Sequence, residues 1–277
     1  MTDVALKDLP GPVVLLGAGK MGGAMLEGWL KLGLPPHLAV VLDPNLPAEA
    51  AAALTARGVR VNPVGSPPAP AVLLLAVKPQ VAPAALPQVA ALAHPGLLVV
   101  SIMAGRTLDF IAAHFPPGTA VVRAMPNTPA AIGRGVSVAV GNGAVTAAQR
   151  ALTATLLGAI GIVDWVDDEA LMDAVTAVSG SGPAYVFLLA EALAEAGRAA
   201  GLPAELAARI ARATVSGSGA LLDASDLPAA TLRQNVTSPG GTTAAALAVL
   251  MDETRGFGPL LEQAVAAAAR RGKELAG

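Results

Sequence analysis

Three short stretches of this 277-residue chain stand out by residue type and spacing, and the first and third could hold anions. The first is Gly17-Ala18-Gly19-Lys20-Met21-Gly22, between the apolar run 13–16 and an alanine-rich stretch. Glycines at this spacing permit a tight turn and bring backbone N–H groups at a helix N terminus close to a pyrophosphate. In a chain this rich in glycine the pattern gains its meaning from the strand before it and the helix after it. Asp43 ends the next apolar run, where a carboxylate can accept both hydroxyls of an adenine ribose and repel a 2′-phosphate. No arginine follows closely, which favours NADH, although Asp43-Pro44-Asn45 is equally good turn chemistry.

Ala76-Val77-Lys78-Pro79 closes a further strand, so Lys78 either reaches a ribose or phosphate or is a solvated strand-end lysine. Residues 101–105 and 124–129 also follow strands, and their loops suit contacts to a nicotinamide or ordinary turns. The second stretch, 179–185, interrupts an apolar run with Ser179-Gly180-Ser181-Gly182 and restarts a helix at Pro183. The third, Thr237-Ser238-Pro239-Gly240-Gly241-Thr242-Thr243, precedes a helix; its free N–H donors form a carboxylate cradle, or Thr242 or Thr243 simply caps the helix.

The elements that must position these groups divide the chain. Over residues 1–166, apolar runs at 13–16, 39–43, 59–61, 71–77, 97–102, 120–124 and 136–140 alternate with helical stretches at 20–31, 47–57, 79–92, 108–114 and 146–157. That alternation predicts a mostly parallel sheet covered on both faces, an α/β domain. Residues 167–277 lose the strand signal and read as helices at 182–200, 203–222, 241–253 and 259–275. The first part holds 10 basic and 7 acidic residues, the second 8 and 13, which sums to the net charge of -2. The alanine-rich surfaces of the second part would bury little area alone and suit pairing with a second copy.

Composition narrows the function classes. With 18 basic against 20 acidic residues and 3% aromatics, there is no basic stripe for nucleic acid. The absence of cysteine excludes thiolate metal sites and a Cys nucleophile, and three scattered histidines (His37, His94, His114) argue against a metal site or a Ser-His-Asp triad. The first nine residues carry Asp3, Lys7 and Asp8 rather than the apolar core of a signal peptide, and the uncharged stretch 174–190 is broken by glycines and Pro183. Residues 63–70 read as a proline-rich loop. A cytoplasmic protein without membrane or nucleic-acid partners is expected.

The motifs G-A-G-x-M-G, A-V-K-P, M-P-N-T-P (125–129), D-A-V-T-A-V-S-G-S-G-P-A-Y (173–185) and S-P-G-G-T-T (238–243) occur in this order. Together they resemble the pyrroline-5-carboxylate reductase family over essentially the whole chain. The resemblance implies an α/β N-terminal Rossmann-type dinucleotide-binding domain, an all-helical C-terminal dimerisation domain, and a site shared between the nucleotide domain and helical segments that include a partner's. It implies cofactor contacts from Leu16, Gly17, Ala18, Gly19, Lys20, Met21, Gly22, Asn62, Ala76, Val77, Lys78, Pro79, Ile102, Met103 and Ala104, to which Asp43 and Asn127 are added on position. The substrate site it implies draws on Glu169, Asn235, Ser238, Gly241, Thr242 and Thr243, with the Thr243 hydroxyl on the ring nitrogen. Thr176 and Glu169 are the secondary candidates for catalysis and substrate contact. Lys20 departs from the Asn or Gln of many members, and Asp43 from the neutral or basic residue of NADP-preferring ones.

The implied reaction passes a hydride from NADH or NADPH to 1-pyrroline-5-carboxylate, giving L-proline without a metal. Such families form homodimers or higher assemblies such as a pentamer of dimers. Two other readings remain. A hydroxyacid dehydrogenase of similar build uses a lysine in its helical domain, yet no lysine lies between Lys78 and Lys273. A non-enzymatic nucleotide sensor explains residues 17–22 but gives no reason for residues 238–243.

Overall fold

Short runs of valine and leucine form the middle of one eight-stranded sheet. A computed structural model describes residues 5–65 and 69–276. The first four residues of the segment expected to lack a leader, and the centre of the proline-rich loop, lie outside the described residues. The first elements are β1 (Val13–Leu16), α1 (Lys20–Lys31), β2 (Ala39–Leu42), α2 (Ala48–Ala56), β3 (Arg60–Val61) and β4 (Val72–Leu75). They continue with α3 (Ala82–Ala90), β5 (Leu98–Ser101), α4 (Leu108–Ala112), β6 (Ala120–Met125), β7 (Gly135–Gly141), α5 (Ala147–Gly158) and β8 (Gly161–Trp165).

The strand order is β3-β2-β1-β4-β5-β6-β7-β8. All neighbours are parallel except β6 and β7. β1, β4 and β5 are buried along their whole length, which is why they read as unbroken apolar runs. Their residues alternate between two cores. Val13 and Leu15 pack with Met25, Leu26 and Trp29 of α1 and Leu156 and Leu157 of α5. Val14 and Leu16 pack with Leu86 of α3 and Ile111 of α4 on the other face.

The chain then makes a short turn, Glu169–Leu171, followed by α6 (Met172–Val175) and a π-helical turn at Thr176–Gly180. α7 (Gly182–Ala199), α8 (Ala204–Asp223), α9 (Ala229–Asn235), α10 (Thr242–Leu250) and α11 (Phe257–Ala276) complete it. The expected break is a bend at Ser181, after which α7 restarts with Pro183 in its first turn, and the residues just before it form the widened turn. β8 and α9 were not expected from the sequence. β8 alternates half-buried and exposed residues, so its apolar signal is faint.

Packing separates Met1–Gly180 with Ala269–Gly277 from Ser181–Ala268. The composition change at 166/167 falls earlier because the segment after β8 stays on the sheet. Met172 is fully buried in the second core, and Ala177 is fully buried too. Within the same unit Gly272 lies against the Asp173 carboxylate and Leu275 against Gly105.

In the helical unit α7 and α8 meet through small residues. A Cβ at Gly197 would sit 3.4 Å from that of Ala207, and Ala207 and Ala211 are buried. Large apolar side chains elsewhere on the unit stand open to solvent in the single chain, among them Phe187, Leu188, Val249 and Leu260. Among the described residues one continuous helical stretch, Glu169–Ala199, has the length and mean hydropathy (1.3) of a membrane span.

Candidate active site

Parallel register brings the first-unit residues to one edge of the sheet. Leu42, Leu16, Leu75, Ser101 and Arg123 stand in one row across β2, β1, β4, β5 and β6. The segments that follow them therefore emerge side by side at the carboxyl ends of the strands, the edge where open α/β sheets bind ligands. The crossover is stitched by backbone bonds: Gly17 N–H donates to Leu42 O (2.9 Å), Ala76 N–H to Leu16 O (2.8 Å) and Ile102 N–H to Leu75 O (3.0 Å).

The three glycines of the loop have different reasons to be glycine. Gly17 stands at φ 93, with the Ala76 carbonyl 3.0 Å from where its Cβ would be. Gly22 packs the first turn of α1 against the Gly17 carbonyl oxygen, leaving no room for a methyl. Gly19, the residue before α1, has an ordinary φ of -65 and nothing within 4 Å of a Cβ. It opens outward, and α1 has no side-chain cap. A tight turn, a close helix and an open, uncapped helix start fit the pyrophosphate of a dinucleotide.

Asp43 is held beside this loop. One carboxylate oxygen accepts from Ala18 N–H (2.9 Å) and the other from Asn45 N–H (3.0 Å). The turn reading thus holds, and the same carboxylate also reaches the glycine loop. Asn62, expected to touch the cofactor, spends its amide on Asp43: Asp43 N–H donates to Asn62 Oδ1 and Asn62 Nδ2 donates to Asp43 O, both at 2.8 Å. Asn62 lies at φ 44, a conformation asparagine tolerates.

Lys78 is exposed at the end of the β4 loop. Of the expected 102–104 contacts, Ala104 is exposed and Ile102 half-buried, whereas Met103 turns into the second core at 2% exposure. Arg106, a residue the sequence reading passed over, links the two loops by donating from Nη2 to Pro79 O (3.1 Å) and stacks 4.5 Å over the Phe110 ring.

Asn127 is buried, and its side chain is engaged within the protein. Oδ1 accepts from Val136 N–H (2.9 Å) and Nδ2 donates to Ser179 O (3.1 Å), which fastens the π turn to the end of β6. The Thr176 hydroxyl donates to Met172 O (2.8 Å). Glu169 Oε1 accepts from Arg123 Nη1 (2.8 Å) and from Leu108 N–H (2.9 Å) at the start of α4. The expected substrate acid is therefore part of an internal ion pair. Its partner was missed because Arg123 sits inside an apolar strand far away in sequence.

In the helical unit, Gly240 at φ 69 turns the chain and Gly241 N–H closes on Ser238 O (3.0 Å). The N-cap of α10 is Gly241, with no side-chain cap; Thr242 and Thr243 are already inside the first turn. The capping-threonine alternative is therefore not what forms, and the first-turn N–H groups carry no side-chain acceptor. Asn235 is exposed at the end of α9. Among the described residues no group of three or more His, Cys, Asp or Glu side chains could hold a metal ion.

Comparison with known proteins agrees with both units. A family model described as pyrroline-5-carboxylate reductase dimerisation matches residues 169–275, and one described as NADP oxidoreductase coenzyme F420-dependent matches residues 12–105. A pyrroline-5-carboxylate reductase of Pseudomonas aeruginosa is 40% identical over 95% of this chain and 96% of its own. Among solved structures, a pyrroline-5-carboxylate reductase from Coxiella burnetii superposes with a TM-score of 0.89 at 31% identity, covering 96% of this chain and 99% of its own. The Plasmodium falciparum pyrroline carboxylate reductase, solved with NADP bound, gives a TM-score of 0.79 at 27% identity, covering 97% and 99%. With a dinucleotide loop at one sheet edge, an uncapped Gly-Gly-Thr-Thr helix start and relatives matched along nearly their full length, the chain belongs to the pyrroline-5-carboxylate reductase family.

Proposed function

We propose that the protein reduces 1-pyrroline-5-carboxylate to L-proline with NADH or NADPH, the last step of proline biosynthesis. The observation that carries the substrate side is the start of α10, where Gly241 leaves the first-turn N–H groups without a side-chain cap. A small ring with one carboxylate must be oriented through that anion and its ring nitrogen, and these N–H groups hold an anion without a buried arginine. Ser238, Asn235 and Thr242 flank the turn, and on this reading the Thr243 hydroxyl bonds the ring nitrogen. The nicotinamide supplies the hydride when bound. A cyclic imine can arrive already protonated, so the protein's work is to position the ring and exclude water rather than to provide a strong acid. Purified protein given the pyrroline should consume NADH or NADPH; no substrate-dependent loss of absorbance with either would sink this reading.

Thr243→Ala removes one hydrogen bond, a loss of about 1–2 kcal/mol, so kcat/KM for the pyrroline should fall about tenfold. The melting temperature should hold, because Thr243 does not cap α10. Full turnover with unchanged substrate KM would make Thr243 only a first-turn residue.

Asp43 leans the cofactor choice toward NADH. Its carboxylate accepts two backbone N–H groups beside the loop, which fixes it at the end of β2, where a pair of ribose hydroxyls suits it better than a 2′-phosphate. Asp43→Ser should move the ratio of catalytic efficiencies toward NADPH by at least about tenfold, the worth of one unfavourable charge contact. A ratio that stays put would make Asp43 a turn residue alone.

The open apolar faces of the helical unit are read as the surface buried against a second copy in a cytoplasmic homodimer, which can build further into a pentamer of dimers. Light scattering at micromolar concentration should give no monomer; a monomer would overturn that assembly.

A further inference from the structure

Leu75 and Ser101 are register partners at the ends of β4 and β5, so the loops that follow them run out side by side. On the β4 side, Lys78-Pro79-Gln80-Val81 forms a turn closed by Val81 N–H on Lys78 O (3.0 Å). Four residues past Pro79, where a helical turn would bring a donor to its carbonyl, stands Pro83, which has no N–H. Among the described residues no backbone N–H donates to Pro79 O, and Arg106 Nη2 supplies the missing bond (3.1 Å). On the β5 side the Arg106 guanidinium lies 4.5 Å over the Phe110 ring. That ring is itself held in the first turn of α4: Phe110 N–H donates to the N-cap Thr107 Oγ1 (3.1 Å), and the ring leans on His114. A planar cation resting on a fixed ring is a firm anchor. Among the described residues no other hydrogen bond joins residues 78–81 to the loop after β5.

What this bond holds in place is the residue that opens the turn. Lys78 is exposed at the carboxyl edge of the sheet, and no acid among the described residues pairs with it. A lysine on a free turn samples many directions, and fixing its backbone lowers the entropy lost when its ammonium meets an anion. Arg106 has its own guanidinium engaged, with Nη2 on Pro79 O and one face on Phe110, so its effect passes through the turn. We infer that Arg106 is a positioning residue for the dinucleotide, holding the Lys78–Val81 turn so that the Lys78 ammonium stands ready for a ribose or phosphate oxygen. This rests on the reading of the first unit as the dinucleotide-binding one, with Lys78 among its contacts.

The test is a double-mutant cycle on wild type, Arg106→Met, Lys78→Met and the protein carrying both changes, with Arg106→Lys as the conservative replacement. NADH and NADPH are titrated by nucleotide fluorescence, and thermal melting without nucleotide separates lost affinity from lost fold. Arg106→Met should weaken binding about five- to tenfold when Lys78 is present, and by less than about twofold when Lys78 is already methionine. Turnover of the pyrroline should show the same loss as a raised KM for the nucleotide with kcat little changed. Arg106→Lys keeps a donor for Pro79 O without the planar stack and should recover part of the affinity. Equal losses in both backgrounds would overturn the assignment, because Arg106 would then act on the nucleotide or on the fold and not through Lys78. Unchanged affinity in Arg106→Met, or in Lys78→Met, would overturn it too. Wild type that binds neither dinucleotide would overturn the dinucleotide reading along with it.

Discussion

Alanine at Gly19 should weaken NADH and NADPH binding by roughly ten- to a hundredfold while leaving the melting temperature where it is. The backbone at Gly19 suits any residue, and no atom of the chain lies within 4 Å of the added methyl. The methyl meets only a ligand lying on the open start of α1, and forcing a methyl into a close contact costs about 1–3 kcal/mol. Gly22→Ala separates this from packing. Its methyl would strike the Gly17 carbonyl oxygen, and it also lies 3.2 Å from Ala76 Cβ. That variant should lose both binding and thermal stability. Nucleotide titration and thermal unfolding on the two proteins decide the matter: Gly19→Ala that binds like wild type would show that the loop is not a pyrophosphate cradle.

The sequence carries the first unit plainly where strands are buried on both faces. The residues of β1, β4 and β5 have no solvent side, so their apolar runs are unbroken, and parallel register then forces the loops after them to one edge. β8 escapes because alternate residues face solvent and glycine starts it. The π turn escapes because Ser179-Gly180-Ser181-Gly182 has the composition of a loop; what keeps it helical is Met172 and Ala177 in the interior and Asn127 on its carbonyl. The site divides in the same way. Residue type and spacing suffice for the turns at Gly17 and Gly240 and for the close packing of Gly22, which the local backbone itself sets. They do not suffice for Asn62, Asn127 and Glu169, whose polar atoms bond partners that only the fold brings near.

Glu169 shows what that inward turn is worth. The Arg123 side chain is 6% exposed and that of Glu169 27%, and one carboxylate oxygen serves both the guanidinium and the first amide of α4. The pair thus ties β6 to the start of α4 and to the segment entering α6. Arg123→Met should lower stability by about 3 kcal/mol, because a carboxylate is left in a mostly dry place without its cation. Glu169→Gln should cost less, about 1 kcal/mol, since an amide oxygen can still accept from Leu108 N–H and Arg123. Replacing both residues with methionine should recover part of the first loss, as an apolar pair avoids the desolvation of two charges. The urea midpoint at one fixed protein concentration measures all three. Equal losses for Arg123→Met and Glu169→Gln with no recovery in the double variant would mean that the pair does not act as a unit. A Glu169→Gln protein that keeps its stability but loses affinity for the pyrroline would return Glu169 to the substrate site, with Arg123 as the group that orients it.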